Sequence, residues 1–399
     1  MAVRHGYGKI AGADALVFAY DTGDTRNSYR GEPTTNLLPN GVAAGHNSGG
    51  YGNVVTVTDA TTEKGPGWKK VTISNRGSNF RIIQWTYLSM SANIMYCHSV
   101  VFDWGNMRDK GYFIYFDGTG TGTRSYYRPG DYVNTGSTNI NSTMPDGKFA
   151  GTITHTASHL HAFFIGNYTT GVSGLDDYFY YKEYQVEVNS HPTQYTASTR
   201  SSTQGLLDLT GNRTIDLANV SFDSNSQVTF DGTNDYLSFP YTQSNPNLFS
   251  VETVFYHTAH SSDTNIGHIL VMPYNGSNAW IYSLNGTDSK LQLRHHNYSA
   301  SSTSYNVAYT TGLDLNKWYH TVATDDGTNV KLYVNGELVK TQASATSTTN
   351  GTMTCKVGSW PTSNTSFAGD IPVVKIYNRA LTADEVRNNY NLYRTRFNI

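Results

Sequence analysis

The stretch GDIPVVKIYNRALTADEVRNNYN, residues 369–391, decides how the rest of the sequence is interpreted. Its first half alternates in the manner of a half-buried strand, with Ile371 and Val373 among its apolar and β-branched positions. Thr382 followed three residues later by Glu385 is the pattern of a capping box, which begins a helix. The stretch therefore predicts a β domain that is closed by one short C-terminal helix.

Composition limits the size and the partners of the protein. A chain of 399 residues predicts about two domains. The formal net charge is −2 and only 15% of the residues are charged, which argues against nucleic acid or an anionic membrane as a partner. The 37 glycines, together with many Ser, Thr and Asn residues, are typical of all-β proteins with frequent turns.

Strand patterns recur through both halves of the chain. KWYHTVATDDGTNVKLYVNGELV, residues 317–339, reads as consecutive antiparallel strands, and Asn335-Gly336 is the dipeptide of a type I′ hairpin turn. Similar runs, separated by turn residues, fill residues 226–377 and predict a β-sandwich or jelly roll. The first half alternates in the same way and predicts a second, smaller sandwich.

Three motifs of the second half resemble the laminin-G-like, concanavalin A-like lectin/glucanase superfamily. They are LLDLTGNRTIDLANVSFDSNSQVTFDGTNDYLSF (206–239), the hairpin segment and the opening stretch. ADALVFAYDTGDTRNSY (13–29) resembles a segment that runs directly into LLDLTGN in tailed-phage virion proteins of this type. The resemblance implies that residues 13–30 and 201–399 form one jelly roll, into which residues 31–200 are inserted.

The inserted part carries a second resemblance. TTNLLPNG (34–41) and DDYFYYKEYQVEVNSHPTQYTASTR (176–200) are similar to carbohydrate-binding-module-like jelly rolls of phage structural proteins. The expected fold class is all-β, with two β-sandwich or jelly-roll domains, the first inserted into a concanavalin A-like second domain that ends in a short helix. Residues 1–12 are expected to form an N-terminal anchor or tail.

These resemblances imply a non-enzymatic structural protein of a bacteriophage virion, displayed as a capsid decoration, head-fibre or fibre-knob protein with a role in glycan adhesion. The alternatives are a tail-fibre lectin that recognises host polysaccharide and a polysaccharide depolymerase. Expected partners are other virion proteins, further copies of the chain in a trimer, and a host-surface or environmental glycan. The first twenty residues lack a signal-peptide pattern, so we expect synthesis in the host cytoplasm and display on the virion surface.

Aromatic side chains are the candidate carbohydrate-binding residues, because a flat ring can pack on the apolar face of a pyranose. The candidates are Trp360, Trp280, Tyr282 and Tyr298. Trp360 lies in the loop-like stretch GSWPTSN and is the preferred one. The alternative for each ring is burial in the core or an ordinary exposed position.

Two carboxylates are candidate ligands for calcium, and no other cofactor is expected. Asp231 and Asp235 flank the turn in FDGTNDY, and carboxylate oxygens suit a hard cation. The alternative is a plain hairpin turn.

Catalysis is not expected, because glycoside hydrolysis requires two carboxylates on either side of the scissile bond. No Glu-x-Asp-x-x-Glu motif of the glucanase type occurs in the sequence. Glu183 and Glu187 are expected to share one face of a strand, and solvated charges at a sheet edge are the alternative.

Overall fold

The computed structural model describes residues 4–5, 8–38, 54–75, 81–84, 88–108, 112–118, 124–128, 140–143, 146–154, 159–167, 176–223, 227–242, 245, 247–260, 267–275, 278–286, 288–297, 302–344, 352–360 and 367–399. The strands are β1 (Arg4–His5), β2 (Gly8–Lys9), β3 (Leu16–Asp21), β4 (Thr34–Thr35), β5 (Val54–Asp59), β6 (Lys69–Asn75), β7 (Arg81–Gln84), β8 (Leu88–Met90), β9 (Met95–Asp103), β10 (Tyr112–Gly118), β11 (Arg124–Arg128), β12 (Ile140–Thr143), β13 (Gly147–Thr154), β14 (His159–Asn167), β15 (Tyr178–Val188), β16 (Thr199–Arg200), β17 (Asp216–Ala218), β18 (Ser221–Phe222), β19 (Val228–Asp231), β20 (Tyr236–Thr242), β21 (Phe249–His257), β22 (Gly267–Asn275), β23 (Asn278–Asn285), β24 (Lys290–Asn297), β25 (Ser302–Gly312), β26 (Trp318–Asp325), β27 (Asn329–Val334), β28 (Glu337–Ala343), β29 (Thr352–Val357) and β30 (Ala368–Tyr377). The helices are α1 (Thr61–Lys64) and α2 (Ala383–Phe397), with 3-10 turns at Ala13–Ala15 and Gly105–Met107.

The chain divides into two compact units. Met1–Pro33 and Ser201–Ile399 form the first unit, and Thr34–Arg200 forms the second. Within the second unit, β4 and β16 pair with each other, Thr34 opposite Arg200 and Thr35 opposite Thr199. The first and last residues of the second unit therefore lie close together in space.

The first unit is a sandwich of two sheets. One has seven strands in the order β17-β20-β29-β22-β23-β24-β25, and the other has eight strands, β18-β19-β30-β21-β26-β27-β28 with β3 also paired to β30. A single apolar core lies between them, with Phe239 and Trp280 from the seven-stranded sheet and Val251 and Leu332 from the eight-stranded sheet. Side chains at alternate positions of each strand fill this core, as in other face-to-face sandwiches.

One edge of β30 is shared by two strands that are far apart in sequence. Thr229–Asp231 of β19 pair with Ala368–Asp370, whereas β3 pairs with the other end of the strand, from Leu16 opposite Tyr377 to Asp21 opposite Val373. Phe18 stacks on Phe239 with 3.7 Å between ring centroids, so the N-terminal strand also contributes to the core. The discontinuous-domain interpretation of the sequence requires this pairing.

The C-terminal helix covers the outer face of the eight-stranded sheet. Thr382 Oγ1 accepts from Glu385 N at 3.2 Å and Thr382 N donates to Glu385 Oε2 at 2.9 Å, which completes the predicted capping box. Val386 and Tyr393 are buried against strand residues such as Val322 and Val254. Among the described residues, neither α-helix is long and apolar enough to cross a membrane.

The second unit is also built from β-sheets. Its strands form one sheet in the order β12-β11-β10-β14-β7, with β8 on β14, and another in the order β13-β9-β15-β6-β5. Its core contains Phe102, Trp104 and Phe179, and the ring of Phe102 contacts the other two rings. The predicted fold class is confirmed: the described residues are mostly β-strand in sandwich sheets, and one short helix lies at the C-terminal end.

Candidate functional site

Trp360 lies on the outer face of the seven-stranded sheet, directly after β29. Its half-buried ring packs on Val271, Ala279 and Ile281, which are fully buried and form a separate apolar cluster. Alternation along β23 explains this cluster, because Trp280 and Tyr282 point into the core and Ile281 points to the opposite face. An apolar patch on the outer face therefore supports the Trp360 ring from below.

Two imidazoles flank this ring. The ring centroid of His268 is 5.1 Å from that of Trp360, and the centroid of His296 is 5.3 Å away at an interplanar angle of 80°. His296 is paired with Ala279 across the ladder, and so projects from the same face as the patch. Burial, and to a smaller extent the charge of Arg294, lowers the pKa of His296, which favours the neutral form of this ring.

Cationic side chains extend the face on either side of the patch. Lys356 is opposite Val271, Val271 is opposite Ile281, and Ile281 is opposite Arg294, so all four share one face. The Lys356 ammonium is 3.8 Å from the ring centroid of Tyr236, and burial lowers its pKa. The name Trp360 face is used below for the surface made by Trp360, His268, His296, Arg294 and Lys356.

The Trp360 face combines one aromatic ring with hydrogen-bonding and cationic groups. Its five members include no carboxylate. Such a surface can stack on the apolar side of a sugar and hydrogen-bond its hydroxyl or acidic groups. It offers no pair of carboxylates for cleavage of a glycosidic bond.

Two other predicted aromatic candidates do not join this face. Trp280 and Tyr282 have no exposed surface and lie in the main core, where Trp280 contacts Phe249. The expectation that these two rings bind sugar is therefore corrected, because alternation along β23 turns both away from solvent. Tyr298 lies outside the described residues.

Asp231 and Asp235 lie in the hairpin turn between β19 and β20. Asp231 is exposed and accepts from Thr233 N at 2.7 Å, whereas Asp235 is buried and accepts from Asp231 N at 2.8 Å. Burial, and then the charge of Asp231, raises the pKa of Asp235. No group of three or more His, Cys, Asp or Glu side chains is placed to hold a metal within the described part of the chain. The turn is accounted for by its own hydrogen bonds.

Glu183 and Glu187 occupy different environments on β15. Glu183 is exposed, has a φ of 52° and lies at a bulge, so the strand alternation is interrupted between the two residues. Glu187 is buried and accepts from Thr193 N, Thr193 Oγ1 and Gln185 Nε2, each at 2.8 Å. The prediction that Glu183 and Glu187 share one face of the strand is therefore wrong. Hydrogen bonds hold the buried carboxylate of Glu187 inside the second unit.

The sequence analysis missed the neighbours of Trp360. Because side chains alternate along β24, His295 and His296 point to opposite faces, His295 beside Trp280 and His296 beside Trp360. His268, Arg294 and Lys356 lie on the same face as Trp360 and His296 because of the order and register of the strands. No local pattern contains that information.

A family model supports the fold of the first unit. Residues 231–387 match the model of the concanavalin A-like lectin/glucanases superfamily of the laminin-G-like type. The match includes the Trp360 face, the hairpin at Asn335-Gly336 and the beginning of the C-terminal helix. No curated protein matches the chain.

Several solved structures are similar at low identity. Domain 4 of AbnA, a GH43 extracellular arabinanase from Geobacillus stearothermophilus solved with arabinotriose, is 17% identical with a TM-score of 0.37, over 48% of this chain and 93% of that one. The receptor-binding domain of botulinum neurotoxin type G is 18% identical with a TM-score of 0.38, over 48% of this chain and 50% of that one. A SAP-like pentraxin from Limulus polyphemus is 19% identical with a TM-score of 0.32, over 40% of this chain and 78% of that one. Likeness at this level assigns no ligand.

Proposed function

We propose that this chain is a non-enzymatic adhesion protein of a bacteriophage virion and that it binds a glycan at the Trp360 face. The observation that carries the proposal is the position of the Trp360 ring, held at the surface on a buried apolar patch between two imidazoles. A ring fixed in this way loses little conformational freedom when a sugar packs on it. The lectin-like class of the first unit supports the same function.

The virion assignment comes from the resemblance of residues 13–29 and of the second unit to phage structural proteins. Display as a capsid decoration, head-fibre or fibre-knob protein, in a trimer with other virion proteins around it, is consistent with that resemblance. A tail-fibre lectin would use the same face on a host polysaccharide. The two locations differ only in where the protein sits on the particle.

Replacement of Trp360 by Ala should weaken glycan binding by about tenfold or more, as expected for an aromatic residue at the centre of a binding site. The full chain is applied to an array of neutral and acidic glycans, and the affinity of each retained glycan is then measured for the wild-type and variant proteins. Trp68→Ala is the matched control, because Trp68 is also half-buried but belongs to the second unit.

Two outcomes contradict the assignment to this face. If the Trp360→Ala variant binds glycan as tightly as the wild type, the Trp360 face is not the binding site. If only Trp68→Ala loses glycan binding, the binding site lies in the second unit. If no glycan is retained, with or without calcium, the proposed adhesion function is rejected.

Antibody labelling of intact virions of the encoding phage tests the location of the protein. Label on the head identifies a decoration protein, label at the tail tip identifies a tail-fibre lectin, and absence of label rejects both.

A further inference from the structure

Three reactive side chains meet under the C-terminal helix, far from the Trp360 face. Glu252 on β21 is directly paired with Lys375 on β30, so both project from the outer face of the eight-stranded sheet. Asn389 projects onto them from α2. All three side chains have no exposed surface, so bulk water does not reach them.

The carboxylate of Glu252 holds the amine and the amide together. Lys375 Nζ donates to Glu252 Oε1 at 3.0 Å, and Asn389 Nδ2 donates to Glu252 Oε2 at 2.9 Å. Tyr377 Oη donates to Glu252 Oε2 at 2.6 Å, and His320 Nε2 lies 3.1 Å from Glu252 Oε1. The amine and the carboxamide therefore each contact one oxygen of the same carboxylate.

The carbonyl of Asn389 has its own hydrogen-bond donor. Ala11 N donates to Asn389 Oδ1 at 2.8 Å, from the backbone just before β3. A fixed N–H at this position stabilises negative charge that develops on the oxygen when its carbon is attacked. The Lys375 ammonium also lies 4.6 Å from the ring centroid of Tyr393, which restricts its position from the other side.

We propose that Lys375 and Asn389 form an intramolecular amide bond, with Glu252 as the catalytic acid–base group. Glu252 first takes a proton from the Lys375 ammonium, and the freed Nζ lone pair attacks Cγ of Asn389. Glu252 then carries a proton from Nζ to Nδ2, the Cγ–Nδ2 bond breaks, and nitrogen leaves as ammonia. The new Cγ–Nζ bond replaces the old Cγ–Nδ2 bond, so no oxidant or cofactor is required.

The same geometry sets the conditions of the reaction. Burial alone would raise the pKa of Glu252, but Lys375, together with His320 and Tyr377, outweighs it and holds that pKa below its ordinary range. The lowered pKa favours the carboxylate form of Glu252, so the first proton transfer to it is uphill. The shared Glu252 carboxylate holds the amine and the amide on one group, which favours the attack. Escape of ammonia makes the reaction irreversible, and the uphill first step makes the bond form slowly after folding. It would tie α2 covalently to β30.

Mass spectrometry of the purified full chain tests the bond. The denatured protein should weigh less than its sequence by one ammonia, and the deficit should grow with time after folding. Digestion should yield a branched peptide in which Lys375 is joined to Asn389. An unmodified Lys375 peptide and a full sequence mass after prolonged incubation would overturn the proposal.

Variants separate this reaction from succinimide formation at Asn335-Gly336, which also releases ammonia. Lys375→Arg keeps the positive charge but cannot form the bond, so its deficit should vanish, whereas a succinimide would persist. Asn389→Asp should lose water in place of ammonia. Lys290→Arg is the matched control on the seven-stranded sheet, and its deficit should equal that of the wild type. A deficit that survives in Lys375→Arg would contradict the proposal even if the branched peptide were hard to detect.

Discussion

At the scale of single residues, two buried groups give the first unit opposite responses to pH. Asp325 at the end of β26 has no exposed surface, and burial raises its pKa to about 6, although Gly327 N and Ser344 Oγ each donate to it at 2.9 Å. His257 is also buried, and burial lowers its pKa to about 4. Neither shift arises from an ion pair, so both report the cost of placing charge in the fold.

The sign of each effect follows from which state binds the proton more tightly. The folded protein holds the proton of Asp325 more tightly than the unfolded chain, so stability falls as pH rises from 3.8 to about 6. The unfolded chain holds the proton of His257 more tightly, so stability falls as pH drops from 6.5 to about 4. The two contributions oppose each other over most of this window.

Replacement of Asp325 by Asn should remove the opposing contribution, so that the effect of His257 on the pH dependence of stability can be seen alone. The amide can accept from Gly327 N and donate to Ser344 Oγ without a buried charge, so the free energy of unfolding at pH 7 should rise by up to about 3 kcal/mol. Urea unfolding between pH 4 and pH 7 should then show stability that increases with pH. A variant less stable than the wild type at pH 7, with an unchanged pH profile, would contradict this account.

Residue-scale prediction from sequence depended on which face a side chain occupies. Trp360 was distinguishable because turn residues surround it, whereas Trp280 and Tyr282 lie in a strand whose core-facing side is known only once its neighbours are placed. Glu252 and Lys375 are single charges inside the apolar runs FSVETVF and PVVKIY. That pattern indicates buried partners, but the sequence cannot say that they are each other's partners.

At the scale of elements, the C-terminal helix is held by its cap as well as by its apolar face. Thr382→Ala removes the acceptor for Glu385 N and should lower the free energy of unfolding by about 1 kcal/mol. Thr382→Ser keeps the hydroxyl and serves as the matched control. Equal denaturant midpoints for the Ala and Ser variants would show that the cap contributes nothing measurable.

Elements with local signals were predictable, and their partners were not. The capping box and the Asn335-Gly336 turn are both present, the latter with φ of 49° and 81° and with Val334 opposite Glu337. These features depend on residues within a few positions of one another. The seven- and eight-stranded orders depend instead on contacts across hundreds of residues, and the family resemblance was needed to anticipate the sandwich.

At the scale of the whole molecule, the second unit begins with β4 and ends with β16, and these two strands pair with each other. Paired Cα atoms are about 5 Å apart. Pro33 and Ser201, which flank the paired residues Thr34 and Arg200, therefore lie close together in space. Replacement of residues 34–200 by a few Gly and Ser residues should therefore leave the first unit folded. Circular dichroism and a single cooperative thermal transition would verify this.

A shorter variant is the control for that experiment. Residues 201–399 alone lack β3, which leaves half of one edge of β30 unpaired and removes Phe18 from the core. This fragment should be markedly less stable than the bridged variant. If both fragments unfold at the same temperature, β3 has no role in stabilising the first unit.

The pairing of β3 with β30 also determines when this protein can finish folding during its own synthesis. Phe18 is paired with Ile376, so β3 leaves the ribosome more than 350 residues before its partner strand β30. At about 5–20 residues per second, it waits on the order of 20–70 seconds. During that time the second unit can fold independently, while an unpaired apolar strand remains open to other nascent copies on the same messenger RNA.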